Sequence, residues 1–268
     1  MGQDVAWPAR EAQIAMSHAV KGGGDQLPKV SRILSSVSAR IECLQKFANH
    51  ELVAVELFAW LLLRFPRAPL GLRLGVLRTL GEEQEHCRLY LERIAALVPG
   101  APDASGPRPA AGAEATGLLG TPPLSGYLWR SLEAVRGAPE PLSAFLCGIG
   151  LTFEAANLDH TLKHRDLFRQ AGDEASAAVL QRVHDDEVRH VRLARVWLRR
   201  LAGAPGGRAD DAELYGASAA FPPFELHKAR GRPMLAFEAR RRAGLSERLV
   251  AEVRDARRRP SPGRPGAA

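Results

Sequence analysis

The chain repeats one motif, first as Glu83-Gln84-Glu85-His86-Cys87-Arg88-Leu89 and then as Glu187-Val188-Arg189-His190-Val191-Arg192-Leu193. Both copies read Glu-x-x-His-x-Arg-Leu within a helical pattern of apolar residues. Residues three apart on an α-helix differ by about 60° in direction, so the Glu and the His of each copy share one face. A carboxylate and an imidazole on one helix face form half of a metal site. Two copies therefore predict a dinuclear site.

The repeat extends upstream of both motifs. Glu51 precedes Glu83 by 32 residues, and Glu154 precedes Glu187 by 33. The chain therefore reads as two similar helical hairpins, each with a Glu on its first helix and Glu-x-x-His on its second. A single Glu-x-x-His is common on solvated helix faces, but two copies at matched spacing indicate a site. This is the ligand inventory of carboxylate-bridged di-iron and di-manganese sites in ferritin-like bundles.

The spacing of apolar residues predicts an all-α protein. Apolar residues recur three and four positions apart over four long stretches, and Pro or Gly follows most of them, which favours helices joined by turns. The predicted helices cover residues 31–64, 69–97, 141–170 and 173–201, with Asp173 as the N-cap of the last. Two hairpins with a long crossover between the second and third helices predict a ferritin-like four-helix bundle.

The rest of the chain is expected to be less regular. The predicted segments are a peripheral N-terminal segment (1–30), the bundle (31–203) with its Pro- and Gly-rich crossover (99–140), an irregular C-terminal extension (204–254) and a disordered basic tail (255–268). Short helices are expected at residues 11–20, at 124–135 in the crossover and at 238–253 in the extension.

Composition places the chain among globular helical proteins, with 268 residues, of which 46% are apolar. Its longest uninterrupted apolar run, Leu57–Leu63, is too short to cross a bilayer. The N-terminus lacks the apolar core of an export signal. The three cysteines form no spaced framework and are expected to be buried thiols. We therefore expect a cytoplasmic protein without a membrane segment.

The formal net charge of +7 belongs to one end of the chain. Of the 37 Lys and Arg and the 30 Asp and Glu, 12 and 4 respectively lie from Lys228 onward, which leaves 25 and 26 before it. The predicted bundle is thus near neutral, and the overall charge is weak evidence for a nucleic-acid partner. The basic tail, with no aromatic residue after Phe237, is expected to bind nucleic acid weakly and without sequence preference.

Longer stretches around the candidate ligands carry a resemblance to a known family. They include Asn49-His50-Glu51-Leu52-Val53-Ala54-Val55-Glu56, Thr152-Phe153-Glu154-Ala155-Ala156-Asn157-Leu158-Asp159-His160 and Asp186-Glu187-Val188-Arg189-His190. These stretches resemble a bacterial ferritin-like family of unknown function over about residues 35–250. The resemblance implies a di-metal bundle, distantly similar to di-iron hydroxylases such as the one acting on isopentenyl-modified adenosine of tRNA. It supplies no substrate.

Six residues are the predicted metal ligands: Glu51, Glu83, His86, Glu154, Glu187 and His190. Glu83 and Glu187 are expected to bridge two ions, Glu51 and Glu154 to bind terminally, and each His to bind one ion. Carboxylates with two imidazoles suit iron or manganese, and the absence of a thiolate cluster argues against zinc. We expect two iron ions, with manganese as the alternative.

Further polar residues are expected to support these ligands, because a ligating His normally donates its second ring N–H to a carboxylate or carbonyl. The candidates are Glu56, Glu82, Asn157, Asp159, Asp186, Arg88 and Arg192. Arg88 and Arg192, at one matched offset past each His, could neutralise the supporting acids. For Glu56 and Asp159 the alternative is a surface acid paired with an arginine.

Other residues offer competing interpretations. His160 and His164 lie one helical turn apart and could hold a metal, although their charged neighbours favour a solvated face. His184 precedes Glu187 by three and could replace His190, but His190 aligns with His86 in the repeat. Cys87 could be a soft ligand, though its offset from His86 directs it elsewhere. Tyr90 and Trp60 are more often core aromatics than radical relays.

The sequence is compatible with three functional classes. The first is an O₂-activating di-iron oxidase or oxygenase acting on a small organic molecule. The second is a ferroxidase, metal-storage or peroxidase-type protein, although the crossover and C-terminal extension exceed what storage requires. The third is an RNA- or tRNA-modifying hydroxylase. A metal-free scaffold ranks below them, because six converging polar side chains in a core would then only destabilise the fold.

Overall fold

The computed structural model describes residues 10–17, 27–98, 117–203, 209–219, 224–231 and 234–257. Helices dominate these residues, as predicted. In chain order they are α1 (Val30–Ser35), α2 (Val37–Arg64), α3 (Leu70–Leu97), α4 (Tyr127–Arg136), α5 (Pro141–Phe145), α6 (Ala155–Gln170), α7 (Glu174–Leu201), α8 (Asp211–Ser218), α9 (Phe237–Ala243) and α10 (Glu247–Asp255). Short 3₁₀ turns cover Ala12–Ile14 and Leu226–Lys228, and a π-helical segment, Leu146–Glu154, joins α5 to α6.

Two pairs of long helices form the centre of the protein. Helix α2 packs along α3, α6 packs along α7, and α3 also packs against α7. Asp173 caps α7 as predicted, because its side chain accepts a hydrogen bond from the Ser176 backbone N–H. The first long helix differs from its prediction: the chain is extended at Ser36, which ends α1 and caps α2 through the Ala39 N–H. These pairs are the hairpins that the repeat predicted.

The apolar core consists of two clusters at different heights along the long helices. One contains the second half of α2 and the first half of α3, with residues such as Leu57 and Val76. The other contains the first half of α2 and the second half of α3, with residues such as Leu44 and Ile94. Helix α7 runs through both clusters. The repeated motifs lie where each helix passes from one cluster to the other.

The N-terminal helix predicted at residues 11–20 is wrong for its described part, residues 11–17, while residues 18–20 lie outside the described residues. After the 3₁₀ turn, Met16–Ser17 forms a strand, β1, which pairs in parallel with β2, Leu124–Ser125. The predicted crossover helix consequently begins later, at Tyr127. Arg10 anchors this N-terminal segment to α2, because its guanidinium binds both carboxylate oxygens of Glu56. This tertiary contact outweighs a weak local helical preference.

The C-terminal extension is more helical than predicted. The expected single helix at residues 238–253 is two helices, because Gly244 has a φ of +84° and turns the chain between α9 and α10. Ser246 then caps α10. Helix α8 was not predicted at all. The first part of the predicted crossover, residues 99–116, and the predicted tail from residue 258 lie outside the described residues.

One helical stretch of the described chain, Pro141–Gln170, is long and apolar enough to cross a membrane. The apolar-run criterion missed it, because glycines and single polar residues interrupt the run. Of the most apolar 18-residue window in this stretch, 72% is buried inside the protein. That burial is typical of a core helix in a soluble protein.

Candidate metal centre

The structure brings all six predicted ligands together. Glu51 lies on α2, Glu83 and His86 on α3, and Glu187 and His190 on α7, while Glu154 is the last residue of the π-helical segment. Each of the six is at most 3% exposed. Burial of unpaired carboxylates and imidazoles is unfavourable, so such a group must be balanced by opposite charge or by hydrogen bonds.

The six side chains form two overlapping groups. In one, ligand atoms of Glu51, Glu83, His86 and Glu187 all lie within 4.8 Å of one another. In the other, the same holds for Glu83, Glu154, Glu187 and His190. Glu83 and Glu187 belong to both groups. The two groups therefore share two carboxylates, and each group adds one Glu and one His.

Both histidines direct the same ring nitrogen into the site. His86 Nδ1 is 3.1 Å from Glu83 Oε2, and His190 Nδ1 is 3.2 Å from Glu187 Oε2. The opposite nitrogen of each ring faces an acid outside the site. Nδ1 is therefore the atom that each histidine offers to an ion.

The Nε2 atom of each histidine contacts an acid that lies beside the other motif. Asp186, next to Glu187, lies 3.1 Å from His86 Nε2, and Glu82, next to Glu83, lies 2.9 Å from His190 Nε2. Each motif thus supports the histidine of the other. A carboxylate at Nε2 fixes the tautomer that leaves Nδ1 free for a metal and makes the imidazole a stronger ligand.

Three arginines neutralise these acids. Arg189 donates to Glu82 at 3.0 Å and to Asp186, and so connects both. Arg78 pairs with Glu82 and Arg182 with Asp186, each at 3.1 Å. Although burial alone would raise it, hydrogen bonds from His190 and Arg189 lower the pKa of Glu82 to about 2. The supporting acids therefore stay ionised at neutral pH.

Protonation inside the site reflects four crowded carboxylates. Burial and the charges of Glu83 and Glu187 raise the pKa of Glu51 well above its ordinary value, and burial and the same charges raise that of Glu154. Burial disfavours the charged form of His86, but hydrogen bonds to Asp186 and Glu83 raise its pKa to about 9. The carboxylates thus attract positive charge, which here is supplied by protons.

The donor set could hold a metal ion. Glu83 Oε1 is fully buried without a hydrogen-bond partner among the described residues, although His190 Nδ1 lies 2.9 Å away outside hydrogen-bond geometry. An ion bound between the shared carboxylates would satisfy this oxygen. Carboxylates and imidazoles without a thiolate suit iron or manganese. Metal binding would displace protons from the site.

The π-helical segment was not predicted. Its last residue is Glu154, and the Thr152 hydroxyl donates to the carbonyl of Cys147, five residues earlier, at 3.0 Å. A π-helical turn carries an extra residue, which rotates the following side chains relative to an α-helix. Thr152 also hydrogen-bonds the Tyr215 hydroxyl at 2.8 Å, which ties the segment to α8.

The family profile of DUF455, described as a protein of unknown function, matches residues 3–100 and 114–251. The chain belongs to this family. No curated protein and no solved structure matches this chain. The DUF455 match includes all six converging residues and both acid–histidine pairs.

Among the predicted supporting residues, Glu82, Asp186 and Asn157 contact the site. The Asn157 side-chain amide donates to Glu187 Oε1 at 2.6 Å. Glu56 does not reach the ligands, because it accepts from Arg10 and from the Trp129 indole at 2.8 Å. Its position five residues after Glu51 turns it about 140° away on the helix.

The predicted supporting role is also wrong for Asp159, Arg88 and Arg192, because each of them contacts other groups. Asp159 is buried in an ion pair with Arg240, which is the arginine-paired alternative but in the interior. Arg88 pairs with Glu85 and Glu92 on the surface. Arg192 donates to the Arg242 carbonyl. Both arginines are two residues past a ligand His, about 200° around the helix, so they point away from the site.

The competing ligand candidates lie outside both groups. His164 is buried rather than solvated, and its Nδ1 is 2.7 Å from the His160 carbonyl oxygen. His184 Nδ1 lies 3.1 Å from both the Thr161 hydroxyl and the Leu158 carbonyl. Burial raises the pKa of the Cys87 thiol to about 12.

The two aromatic candidates lie in the apolar core. Tyr90 packs against Phe47, and Trp60 stacks on Phe145. Both aromatic rings are at most 2% exposed.

Proposed function

We propose that this protein has a ferritin-like four-helix bundle with two iron ions at its centre and uses them to oxidise an organic molecule with O₂. The observation that carries the proposal is the pair of overlapping ligand groups sharing Glu83 and Glu187. Duplicated Glu-x-x-His motifs with two further glutamates are the ligand set of di-iron and di-manganese carboxylate bundles.

The side chains have distinct parts in this proposal. Glu83 and Glu187 would contribute to both ions, Glu51 and His86 would hold one of them, and Glu154 and His190 would hold the other. By accepting the Nε2 proton, Asp186 and Glu82 favour the neutral tautomer in which Nδ1 of each ring would be free to bind an ion. When bound, a pair of Fe(II) ions supplies electrons for the reduction of O₂.

The surroundings restrict what can reach the ions. Apolar residues of the two core clusters lie above and below the ligands, so bulk water is excluded from both directions along the helices. Asn157 donates to the shared carboxylate Glu187 and fixes its rotamer. The low polarity of these walls strengthens the electrostatic attraction between carboxylates and ions.

Metal loading with matched variants tests the proposal. Wild type loaded anaerobically with Fe(II) should hold two ions per chain. Glu51→Ala should abolish the pair, whereas Glu56→Ala should retain it, because only Glu51 faces the ligands. His86→Ala and His190→Ala should each reduce the load, and His184→Ala should not. One ion per chain, or an equal loss in Glu51→Ala and Glu56→Ala, would contradict a dinuclear site.

The nature of the reaction needs a separate measurement. Exposure of the Fe(II)-loaded protein to O₂ should give an optical change that occurs once per metal pair. Iron that accumulates beyond two ions per chain during repeated additions would instead identify a ferroxidase or storage protein. Manganese bound in preference to iron after expression in a medium containing both would change the metal assignment.

A hydroxylase of RNA is less well supported. Several basic residues of the C-terminal extension are committed to contacts within the chain. Arg240 is completely buried, Arg230 donates to the carbonyls of Arg254 and Ala256, and Arg248 pairs with Glu213 and Glu252. Burial of Arg240 and pairing of Arg248 with two acids reduce the positive charge available to attract a polyanion.

A further inference from the structure

A small cavity lies beside one end of the ligand groups. Glu154 and His190 contribute to its wall, while Glu51 and His86 do not. The volume of the cavity is about 10 Å³, which is room for one water-sized molecule. The two ends of the site are therefore inequivalent.

The position of the cavity follows from helix geometry. Val76 and Thr79 precede Glu83 by seven and four residues, so they lie on the same face of α3. Leu193 and Ala194 follow His190 by three and four residues on α7. The cavity thus continues the ligand-bearing faces by about one helical turn, into the apolar cluster that contains Val76.

The wall is almost entirely apolar. Leucine, valine and phenylalanine side chains surround the space, and the polar groups of Thr79, Glu154 and His190 contribute little of its surface. An ordered water in a protein interior needs two to four polar partners, and apolar cavities without them stay dry. This cavity therefore favours a small apolar molecule over water.

The walls also limit the size of the guest. The π-helical segment packs directly on α7, since a Cβ at Gly150 would lie 2.3 Å from the Ala194 Cβ. Closely packed walls accommodate even one extra methylene only by moving neighbouring groups. A diatomic molecule fits the space, whereas an organic substrate does not.

We propose that this cavity is a dioxygen site, which delivers O₂ to the metal pair at the end formed by Glu154 and His190. The proposal rests on the O₂ chemistry of the proposed function, but the cavity itself can be tested without metal.

Xenon is the probe for the cavity, because it binds in dry apolar cavities. Crystals of the metal-free protein under xenon pressure should show one xenon atom in contact with Val76 and Leu193. Val76→Leu should lose it, because the added methylene fills the space. Val135→Leu, an equally buried valine of the same apolar cluster on α4, should keep it. An ordered water in place of xenon in the wild-type cavity would overturn the proposal.

The second measurement follows O₂ in the Fe(II)-loaded protein by stopped flow. Val76→Leu should bind two ions as wild type does, but its reaction with O₂ should slow about tenfold, because a guest must displace the added methylene. Val135→Leu should react at the wild-type rate. An unchanged rate in a Val76→Leu protein that has lost xenon would show that O₂ arrives elsewhere. If wild type takes up no metal pair while xenon binds, the proposed function fails and the cavity stands.

Discussion

The ion pair between Asp159 and Arg240 should be among the most costly side-chain interactions to break. Both side chains are at most 1% exposed, and Arg240 donates to the two carboxylate oxygens at 2.6 and 3.0 Å. Asp159 also accepts from the backbone N–H groups of Gly231 and Ala236 at 2.8 and 2.6 Å. The pair therefore holds α9 and the segment before it on α6.

Arg240→Met removes the guanidinium while keeping much of its apolar stem. It leaves a buried carboxylate with only two backbone donors, and it leaves the Ala155 and Ala229 carbonyls without the donor they now share. Removal of one partner of a buried ion pair costs about 3–5 kcal/mol. For a chain of this size each kcal/mol lowers Tm by about 2–4 °C, so the expected decrease is about 6–20 °C.

Urea and thermal unfolding of the metal-free protein, followed by circular dichroism, measure this effect. Arg241→Met is the matched control, because the neighbouring arginine on the same helix is exposed and its pair with Glu238 is long, at 3.9 Å. Asp159→Asn should also be destabilising, and the double variant should lose much less than the two single losses together. A loss below about 1 kcal/mol in Arg240→Met, or strict additivity in the double variant, would refute this reasoning.

Three further predictions concern the outer acids, the buried histidines and the basic tail. Arg189→Leu should weaken metal binding about tenfold, because it removes the arginine that donates to both Glu82 and Asp186. Arg192→Leu should leave metal binding unchanged. Competition titration with Mn(II) measures the affinity of both variants. Burial lowers the pKa of His164 to about 3, so the unfolded chain takes up the proton first, and the free energy of unfolding should fall by about 2 kcal/mol between pH 7 and 5 from this residue. His164→Leu should flatten that dependence in urea titrations, and an unchanged slope would contradict the assignment. Truncation after Arg257, which spares the helix ending at Asp255, should reduce weak, salt-sensitive RNA binding in filter assays but leave the metal load intact; tight tRNA binding by the truncated protein would favour an RNA substrate.

The sequence could predict that these six residues converge, because the pattern that identifies them is local and repeated. A Glu and a His three residues apart share a helix face whatever surrounds the helix, and the matched positions of Glu51 and Glu154 select one acid from each first helix. The same periodicity located the four long helices, and the Asp173 cap followed from a single side chain and the next turn. Glu82 and Asp186 were also identified, as acids next to each motif.

Contacts between distant segments decided the remaining features. The contacts of Asp186 with His86 and of Glu82 with His190 depend on how α3 and α7 lie against each other. The partner of Asp159 lies 81 residues away, and no local pattern distinguishes a buried Arg240 from its exposed neighbours.

The π-helical segment and the cavity depend on packing in the same way. Segment Leu146–Glu154 packs between α7 and Phe224, where its glycines permit close approach. An extra residue per turn and an unfilled space with room for one small molecule result from how neighbouring surfaces fit. Helical periodicity specifies which residues face inward, but the tertiary structure alone determines what they meet there.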